Sequence, residues 1–385
     1  MDYLRPKVGA ILRAIALLVL VYLFLVSIGL IGASFKFFGK DIAHRLIETT
    51  SNPFVGLFIG ILATSLWQSS STTTSVVVGL VGGGALTLPN AIPIVMGANI
   101  GTTVTNIIVA LGHITRGEEF KRAFAGATVH DFFNIIVVII LFPLQYFTNF
   151  LGWGAGMLGD AFKIAGGLTY TNPLKLIVGP PIALIMGFCQ KGGVLITHLF
   201  QLGEGLQEKI PGILMIIIAL ILLFLALRYL VLILKSLVLK RAEVFFDRYI
   251  FRSAFRGLMF GLVLTALVQS SSITTSLAVP LLGAGILTLE QVFPYTLGAN
   301  VGTTVTAILA SFATNNIAAV SVAFAHLLFN LIGIGIIWPV RIVRQLPLVL
   351  SRSLAQISIK SRLVPIMFII LTFYVIPFIL IFLVG

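Results

Sequence analysis

A polar run inside apolar sequence occurs twice in this chain and restricts its fold more than any other feature. Residues 68–75 read Gln-Ser-Ser-Ser-Thr-Thr-Thr-Ser between two apolar stretches, and residues 269–276 repeat this pattern with one isoleucine. Such polarity is tolerated at membrane depth only where protein or a water-filled cavity covers it. We therefore predict two re-entrant helical hairpins, at about 54–87 and about 256–288, each with a Gln-Ser-Ser-Ser tip.

The apolar sequence around these runs predicts an all-α polytopic membrane protein. Of the 385 residues 58% are hydrophobic and 10% are charged, too little polarity to cover a soluble protein of this size. A helix that crosses a bilayer needs about 20 apolar residues. The clearest candidate runs are residues 11–31, 135–147, 213–234, 320–340 and 365–384.

The net charge of +13 comes from basic residues clustered beside apolar runs. That placement follows the positive-inside rule of membrane proteins and argues against nucleic acid as a partner. Arg5, Lys7 and Arg13 precede or begin the first run. We expect this run to be a retained helix rather than a cleaved signal peptide, with a cytoplasmic N terminus.

The chain also contains an internal duplication. A shift of 201 positions brings residues 56–106 onto 257–307 without a gap, with 28 identities in 51 pairs. The aligned part includes Gly-Ala-Asn-x-Gly-Thr-Thr at 97–103 and 298–304. Further on, His130 and His326 each precede an asparagine by four residues.

Charge in the loops predicts that the two copies have inverted topology. The link after the first Gly-Ala-Asn motif carries Arg116, Lys121 and Arg122, whereas its counterpart near 313–317 carries no charge. Equivalent loops are therefore expected on opposite sides of the membrane. We predict a first repeat at 1–150, a connecting segment at 151–210, a second repeat at 211–345, and a basic amphipathic segment with a C-terminal transmembrane helix at 346–385.

The tips have the chemistry of an ion site. Hydroxyls, an amide and free N–H groups at a helix N terminus suit a tetrahedral oxyanion without a fixed cation. The candidate substrate ligands are Gln68, Ser69, Ser70, Ser71, Gln269, Ser270, Ser271 and Ser272. Oxygen atoms of the same kinds also suit Na⁺, and the candidate sodium ligands are Thr64, Thr73, Asn99, Thr102, Thr103, Thr265, Thr274, Asn300, Thr303 and Thr304. The competing interpretation is that small polar residues only let membrane helices pack closely.

Six further polar residues are expected to support this site: Arg122, His130, Asp131, Asn134, His326 and Asn330. For the two histidines, interhelical hydrogen bonding is favoured over ligation. Asp131 is a functional candidate because carboxylates inside a membrane are rare. The alternative is that Asp131 lies at a helix end and pairs with Arg122.

These motifs resemble the type II sodium-dependent phosphate cotransporters. The similarity rests on the duplicated Gln-Ser-Ser-Ser, on Gly-Ala-Asn-Ile-Gly-Thr-Thr-Val-Thr-Asn at 97–106, and on Phe-Lys-Arg-Ala-Phe-Ala-Gly-Ala-Thr-Val-His-Asp-Phe-Phe-Asn at 120–134. The resemblance implies Na⁺-coupled phosphate symport, with both tips forming a shared phosphate and sodium site. Alternating access is expected from the inverted repeats, because each can rock against the other around a central site. The resemblance also implies a multi-pass protein of the plasma or inner membrane with Na⁺ as coupling ion and no resident cofactor.

Three other functions compete with this one. The tips could form the filter of an anion channel, or the cargo could be another oxyanion such as arsenate or sulfate. A serine enzyme is disfavoured because the serines lack a Gly-x-Ser-x-Gly context and neither histidine has an evident orienting partner. The Na⁺ stoichiometry, the transport direction and the oligomeric state are left open by the sequence.

Overall fold

The computed structural model describes residues 5–164, 173–201, 209–245, 250–314 and 316–384, and these residues form helices and turns without any strand. The helices before residue 165 are α1 (Arg5–Ser34), α2 (Gly39–Thr49), α3 (Pro53–Trp67), α4 (Ser70–Gly82), α5 (Leu88–Gly101), α6 (Val104–Leu111), α7 (Gly117–Thr148) and α8 (Phe150–Phe162). Those that follow are α9 (Pro173–Phe200), α10 (Ile210–Phe245), α11 (Ala254–Val268), α12 (Ser271–Ser276), α13 (Ala278–Gly283), α14 (Leu289–Phe312), α15 (Ile317–Ile337), α16 (Arg341–Lys360), α17 (Leu363–Ile370) and α18 (Ile376–Val384).

Seven spans within the described residues are long and apolar enough to cross a bilayer. They are Ile11–Ser34, Leu88–Leu111, Gly117–Thr148, Leu176–Phe200, Ile210–Leu237, Ile317–Ile337 and Leu363–Val384. There is an eighth candidate span if the helices Ala43–Thr49 and Pro53–Trp67, which meet at an angle of 99°, are counted together as one. Five of the seven overlap the predicted apolar runs, so the prediction of an all-α polytopic membrane protein is confirmed.

Both polar runs begin where one helix stops and another starts. Gln68 follows α3 with φ 56°, and Gln269 follows α11 with φ 59°, so both have the left-handed conformation. Each second helix later ends near a glycine of positive φ, Gly84 at 78° and Gly285 at 75°. The four positions are related by the same shift of 201 residues. The repeat is therefore present in the backbone, while the re-entrant and inverted orientation of the hairpins stays a prediction.

The glycine of each Gly-Ala-Asn motif lets two helices touch along their backbones. A Cβ atom added to Gly97 of α5 would overlap the carbonyl oxygen of Leu57 in α3. In the second repeat a Cβ on Gly298 of α14 would overlap the carbonyl oxygen of Leu258 in α11. Such close approach is the usual role of glycine between membrane helices. It brings each Gly-Ala-Asn motif against the first helix of its hairpin.

The core of the molecule lies around α5, α7, α14 and α15. The span Leu88–Leu111 is 78% buried, against 11% for Leu363–Val384 at the periphery. On α16, Ser351 and Ala355 are buried while Arg352 is exposed. The amphipathic α16 contacts α7 and precedes the last span. The division into four segments stays a prediction.

Candidate substrate and ion site

The two tips predicted from the sequence lie against each other. Ser71 Oγ donates to the carbonyl oxygen of Gln269 at 3.2 Å and lies 3.4 Å from Thr306 Oγ1. From the other tip, Ser272 Oγ donates to the carbonyl oxygen of Thr102 at 3.1 Å. The third serine of each tip thus contacts the opposite repeat, and the two tips form one polar region.

The three serines of each tip differ in their hydrogen bonds. The first caps the helix that follows, because Ser69 Oγ and Ser270 Oγ each accept the backbone N–H three residues ahead. The third serine of each tip donates to a backbone carbonyl of the other repeat. The middle serines, Ser70 and Ser271, are each 3% exposed, and their hydroxyls bond to no described residue. These two hydroxyls are therefore the ones left for a ligand.

The glutamine amides hold the helix breaks in shape. Gln68 Oε1 accepts from Thr105 Oγ1 at 2.8 Å, and Gln269 Oε1 accepts from Thr306 Oγ1 at the same distance. Each Nε2 donates to a backbone carbonyl three residues earlier. Thr105 and Thr306 were not among the predicted site residues. The sequence contains a signal for both, since the repeat pairs them two residues after the Thr-Thr of each motif.

A cavity of about 200 Å³ opens beside both tips. Its polar lining includes Ser69, Ser71, Thr72, Gln269, Ser270 and Arg228 of α10. One water needs only about 10–15 Å³ by a comparable measure, so the cavity has room for a small hydrated anion. Sequence reasoning missed Arg228, although it interrupts the apolar run 213–234.

Six buried polar residues, three from each repeat, form a second cluster, which we call the His/Asn cluster: Asn99, His130, Asn134, Asn300, His326 and Asn330. Asn300 Oδ1 lies 2.6 Å from His130 Nε2, and Asn300 Nδ2 donates to Asn134 Oδ1 at 2.7 Å. The repeat-related contacts are 3.1 Å from Asn99 Oδ1 to His326 Nε2 and 2.9 Å from Asn99 Nδ2 to Asn330 Oδ1. The histidines therefore make the interhelical bonds that the sequence favours, and these bonds join the two repeats.

The predicted sodium ligands fall in several places. Thr64 Oγ1 donates to Thr73 Oγ1 at 2.7 Å beside the first tip, whereas the repeat-related Thr265 Oγ1 is buried and has no partner among the described residues. Thr274 donates to the carbonyl of Ser270 at 2.8 Å. Four threonines donate to backbone carbonyls three or four residues earlier: Thr102, Thr103, Thr303 and Thr304. Because Asn99 and Asn300 belong to the His/Asn cluster, the ten candidates do not form one coordination shell.

Asp131 is buried in the middle of α7, and neither of its carboxylate oxygens bonds to a described residue. The alternative ion pair does not form, because Arg122 donates from Nε and Nη2 to the carbonyl oxygen of Gly283 at 2.9 and 2.7 Å. A buried carboxylate without a partner needs a proton or a cation. Either a proton or a bound cation would therefore satisfy the Asp131 carboxylate.

One contact across the repeats has no counterpart. Asn106 Nδ2 and Oδ1 lie 2.8 and 3.0 Å from Thr275 Oγ1. The repeat-related residues are Ala307 and Thr74, and the hydroxyl of Thr74 bonds only to its own helix, at the carbonyls of Ser70 and Ser71. Sequence comparison of the repeats overlooks this pair, because position 106 is not shared.

Comparison with known proteins gives a consistent result. A family profile described as Na⁺/Pi-cotransporter matches residues 23–170 and 222–338. Sodium-dependent phosphate transport protein 2B of Homo sapiens is 32% identical over 443 residues, covering 95% of this chain and 64% of the relative. Sodium-dependent phosphate transport protein 2A of Rattus norvegicus is 32% identical over 432 residues, covering 96% of this chain and 68% of the relative. The chain therefore spans about 64% of the length of the 2B relatives. No solved structure matches the chain.

Proposed function

Because this chain belongs to the Na⁺/Pi-cotransporter family, we propose that it carries inorganic phosphate across a membrane in symport with Na⁺. The observation that carries the proposal is the meeting of the two Gln-Ser-Ser-Ser tips beside one cavity. The same motif occurs in both matched parts of the chain.

The phosphate ligands in this proposal are the middle serines and the backbone around them. Ser70 and Ser271 do not line the cavity themselves, and in this proposal the anion reaches them from it. The Ser70 and Ser271 hydroxyls are not engaged by other described residues, so they can donate to phosphate oxygens. The first turn of α4 adds N–H groups with the favourable end of a helix dipole. The remaining tip residues, Gln68 and Gln269 among them, hold the breaks in position.

The coupling ions bind, in this proposal, to neutral oxygens and one carboxylate. The threonine pair Thr64 and Thr73 and the carboxylate of Asp131 are the strongest candidates. A hydroxyl that donates one hydrogen bond keeps lone pairs for a cation. With a tenfold gradient, two Na⁺ supply about 2.8 kcal/mol, enough for roughly hundredfold accumulation of phosphate in an electroneutral cycle.

We propose alternating access rather than a channel or an enzyme as the mechanism. The predicted inverted topology of the two repeats, each with an interrupted helix expected near the midplane, would favour the rocking of one repeat against the other. Neither Ser70 nor Ser271 is hydrogen-bonded to a histidine in the described residues, so no nucleophile and base pair supports catalysis. The proposed location is the plasma or inner membrane, with a cytoplasmic N terminus.

Uptake of radiolabelled phosphate into proteoliposomes tests the proposal. An inward Na⁺ gradient should drive saturable uptake that a K⁺ gradient does not drive. Ser70→Ala and Ser271→Ala should each raise the KM for phosphate about tenfold, the effect of losing one hydrogen bond to a charged ligand. Ser351→Ala removes a buried serine hydroxyl from α16 and should leave KM unchanged.

Other outcomes of this experiment identify the competing functions. Phosphate flux that ignores Na⁺ and does not saturate would indicate a channel. Na⁺-driven uptake of sulfate in place of phosphate would keep the mechanism and change the cargo. Wild-type KM in both tip variants would show that the tips are not the phosphate site.

A further inference from the structure

Arg228 is a charge inside a membrane span. It lies within Ile210–Leu237, nine positions before Leu237, which is roughly 13 Å along a helix that rises 1.5 Å per residue. Arginine at such a depth is costly in lipid and usually faces a cavity or a partner that has a function. The side chain is exposed rather than packed inside the helical bundle.

The surroundings of Arg228 are those of a ligand cavity. Its side chain lines the cavity beside the two tips, together with Ser69, Ser71, Gln269 and Ser270. All other residues that line this cavity are uncharged. The ion pairs of the described residues involve other side chains, so Arg228 is not neutralised by a described carboxylate.

Binding of a phosphate anion requires positive charge, and the two tips contain no charged side chain. Their hydroxyls, amides and backbone N–H groups are neutral donors, whereas phosphate near neutral pH carries one or two negative charges. Bound Na⁺ can offset part of this charge. A guanidinium offers two parallel N–H groups to two phosphate oxygens, a geometry that an ammonium group cannot reproduce.

We infer that Arg228 is the fixed cation of the phosphate site and binds the anion through paired N–H groups from the cavity beside the tips. This inference rests on the proposed transport of phosphate. It replaces the expectation from sequence that the tips bind an oxyanion without a fixed cation. The alternative is that the Arg228 side chain reaches toward lipid headgroups and plays no part in transport.

The test compares Arg228→Gln with Lys235→Gln in the proteoliposome assay. Lys235 lies seven residues further along α10, is exposed and does not line the cavity, so its replacement removes the same charge from the same helix. Arg228→Gln should raise the KM for phosphate about tenfold or more, as expected for a lost charge-assisted bond, while the KM for Na⁺ changes less than about twofold. Lys235→Gln should leave both values unchanged.

A second variant separates geometry from charge and keeps the test valid if Arg228→Gln does not fold. Arg228→Lys retains the charge without the paired donors and should raise the KM for phosphate about threefold to tenfold. A wild-type KM for phosphate in Arg228→Lys, or in a folded Arg228→Gln, overturns the inference while leaving Na⁺-coupled transport intact. Absence of Na⁺-driven phosphate uptake by the wild type would overturn the proposed function and this inference with it.

Discussion

The His/Asn cluster should be a main source of attachment between the two repeats, and Asn300→Ala tests this. The substitution removes both side-chain bonds of Asn300, to His130 and to Asn134. His130 then loses its only described partner, since its Nδ1 is already without one. The change therefore leaves two buried polar groups unsatisfied, one on each of these residues.

Two estimates bracket the cost of Asn300→Ala. Interhelical hydrogen bonds measured in a membrane protein average about 0.6 kcal/mol, which gives about 1.2 kcal/mol for two. Leaving a buried polar group unsatisfied costs about 1–3 kcal/mol, which gives about 2–6 kcal/mol for two. His130 and Asn134 are 0% exposed and Asn300 is 2% exposed, so the groups that lose their partner do not face solvent. We therefore expect a loss of about 2–4 kcal/mol in the free energy of unfolding.

Unfolding by SDS titration in mixed micelles measures this loss. The matched control is Thr296→Val on the same helix, because the buried Thr296 hydroxyl bonds only to the carbonyl of Phe293 and should cost under about 1 kcal/mol. In a double-mutant cycle, His130→Ala and Asn300→Ala should be non-additive by about 1 kcal/mol. If Asn300→Ala costs no more than the control, or the cycle is additive, the cluster does not join the repeats.

Three further predictions concern other sites. Gly97→Ala forces a Cβ onto the backbone of Leu57. It should reduce the free energy of unfolding by about 1–3 kcal/mol and so lower the melting temperature. The control is Gly156→Ala, where the added Cβ enters open space, and equal melting temperatures for the two variants would contradict the packing argument. Asp131→Asn should raise the KM for Na⁺ in phosphate uptake about tenfold, because a carboxylate without a described partner is lost; an unchanged Na⁺ dependence would exclude Asp131 as an ion ligand. Arg352→Gln breaks an exposed ion pair with Glu290. This should change the free energy of unfolding, measured by SDS titration, by less than about 1 kcal/mol. A larger effect would show that the pair belongs to a wider network.

The sequence predicts the spans with uniform apolar composition and misses two whose apolar run is interrupted by polar residues or prolines. Leu88–Leu111 contains the polar Gly-Ala-Asn-x-Gly-Thr-Thr motif and has a mean hydropathy of 1.7. Leu176–Phe200 contains Pro180, Pro181 and Lys191 and has a mean hydropathy of 1.4. In both, polar residues or prolines divide the apolar run although the span is long enough to cross a bilayer. The length of an apolar run therefore underestimates the length of such a span.

The sequence predicts which residues of the site share one helix face, but not which faces of distant helices contact each other. Helical spacing places His130 and Asn134 on one face, but only packing shows that this face meets Asn300 of the other repeat. For the same reason Arg122 is paired with a backbone carbonyl rather than with Asp131. The helix break at Gln68 is easier to predict, because the polar run that marks it is local in the sequence.

The unmatched bond between Asn106 and Thr275 has a consequence for the transport cycle. If each repeat adopted the other's conformation in turn, two identical repeats would make the inward-open and outward-open states equal in free energy. One hydrogen bond between the repeats that has no repeat-related counterpart, worth about 1 kcal/mol, shifts that balance roughly fivefold. In the proposed alternating-access cycle, Asn106 would therefore favour one of the two states over the other. The resting orientation of the carrier would then be set by a residue that touches neither phosphate nor Na⁺.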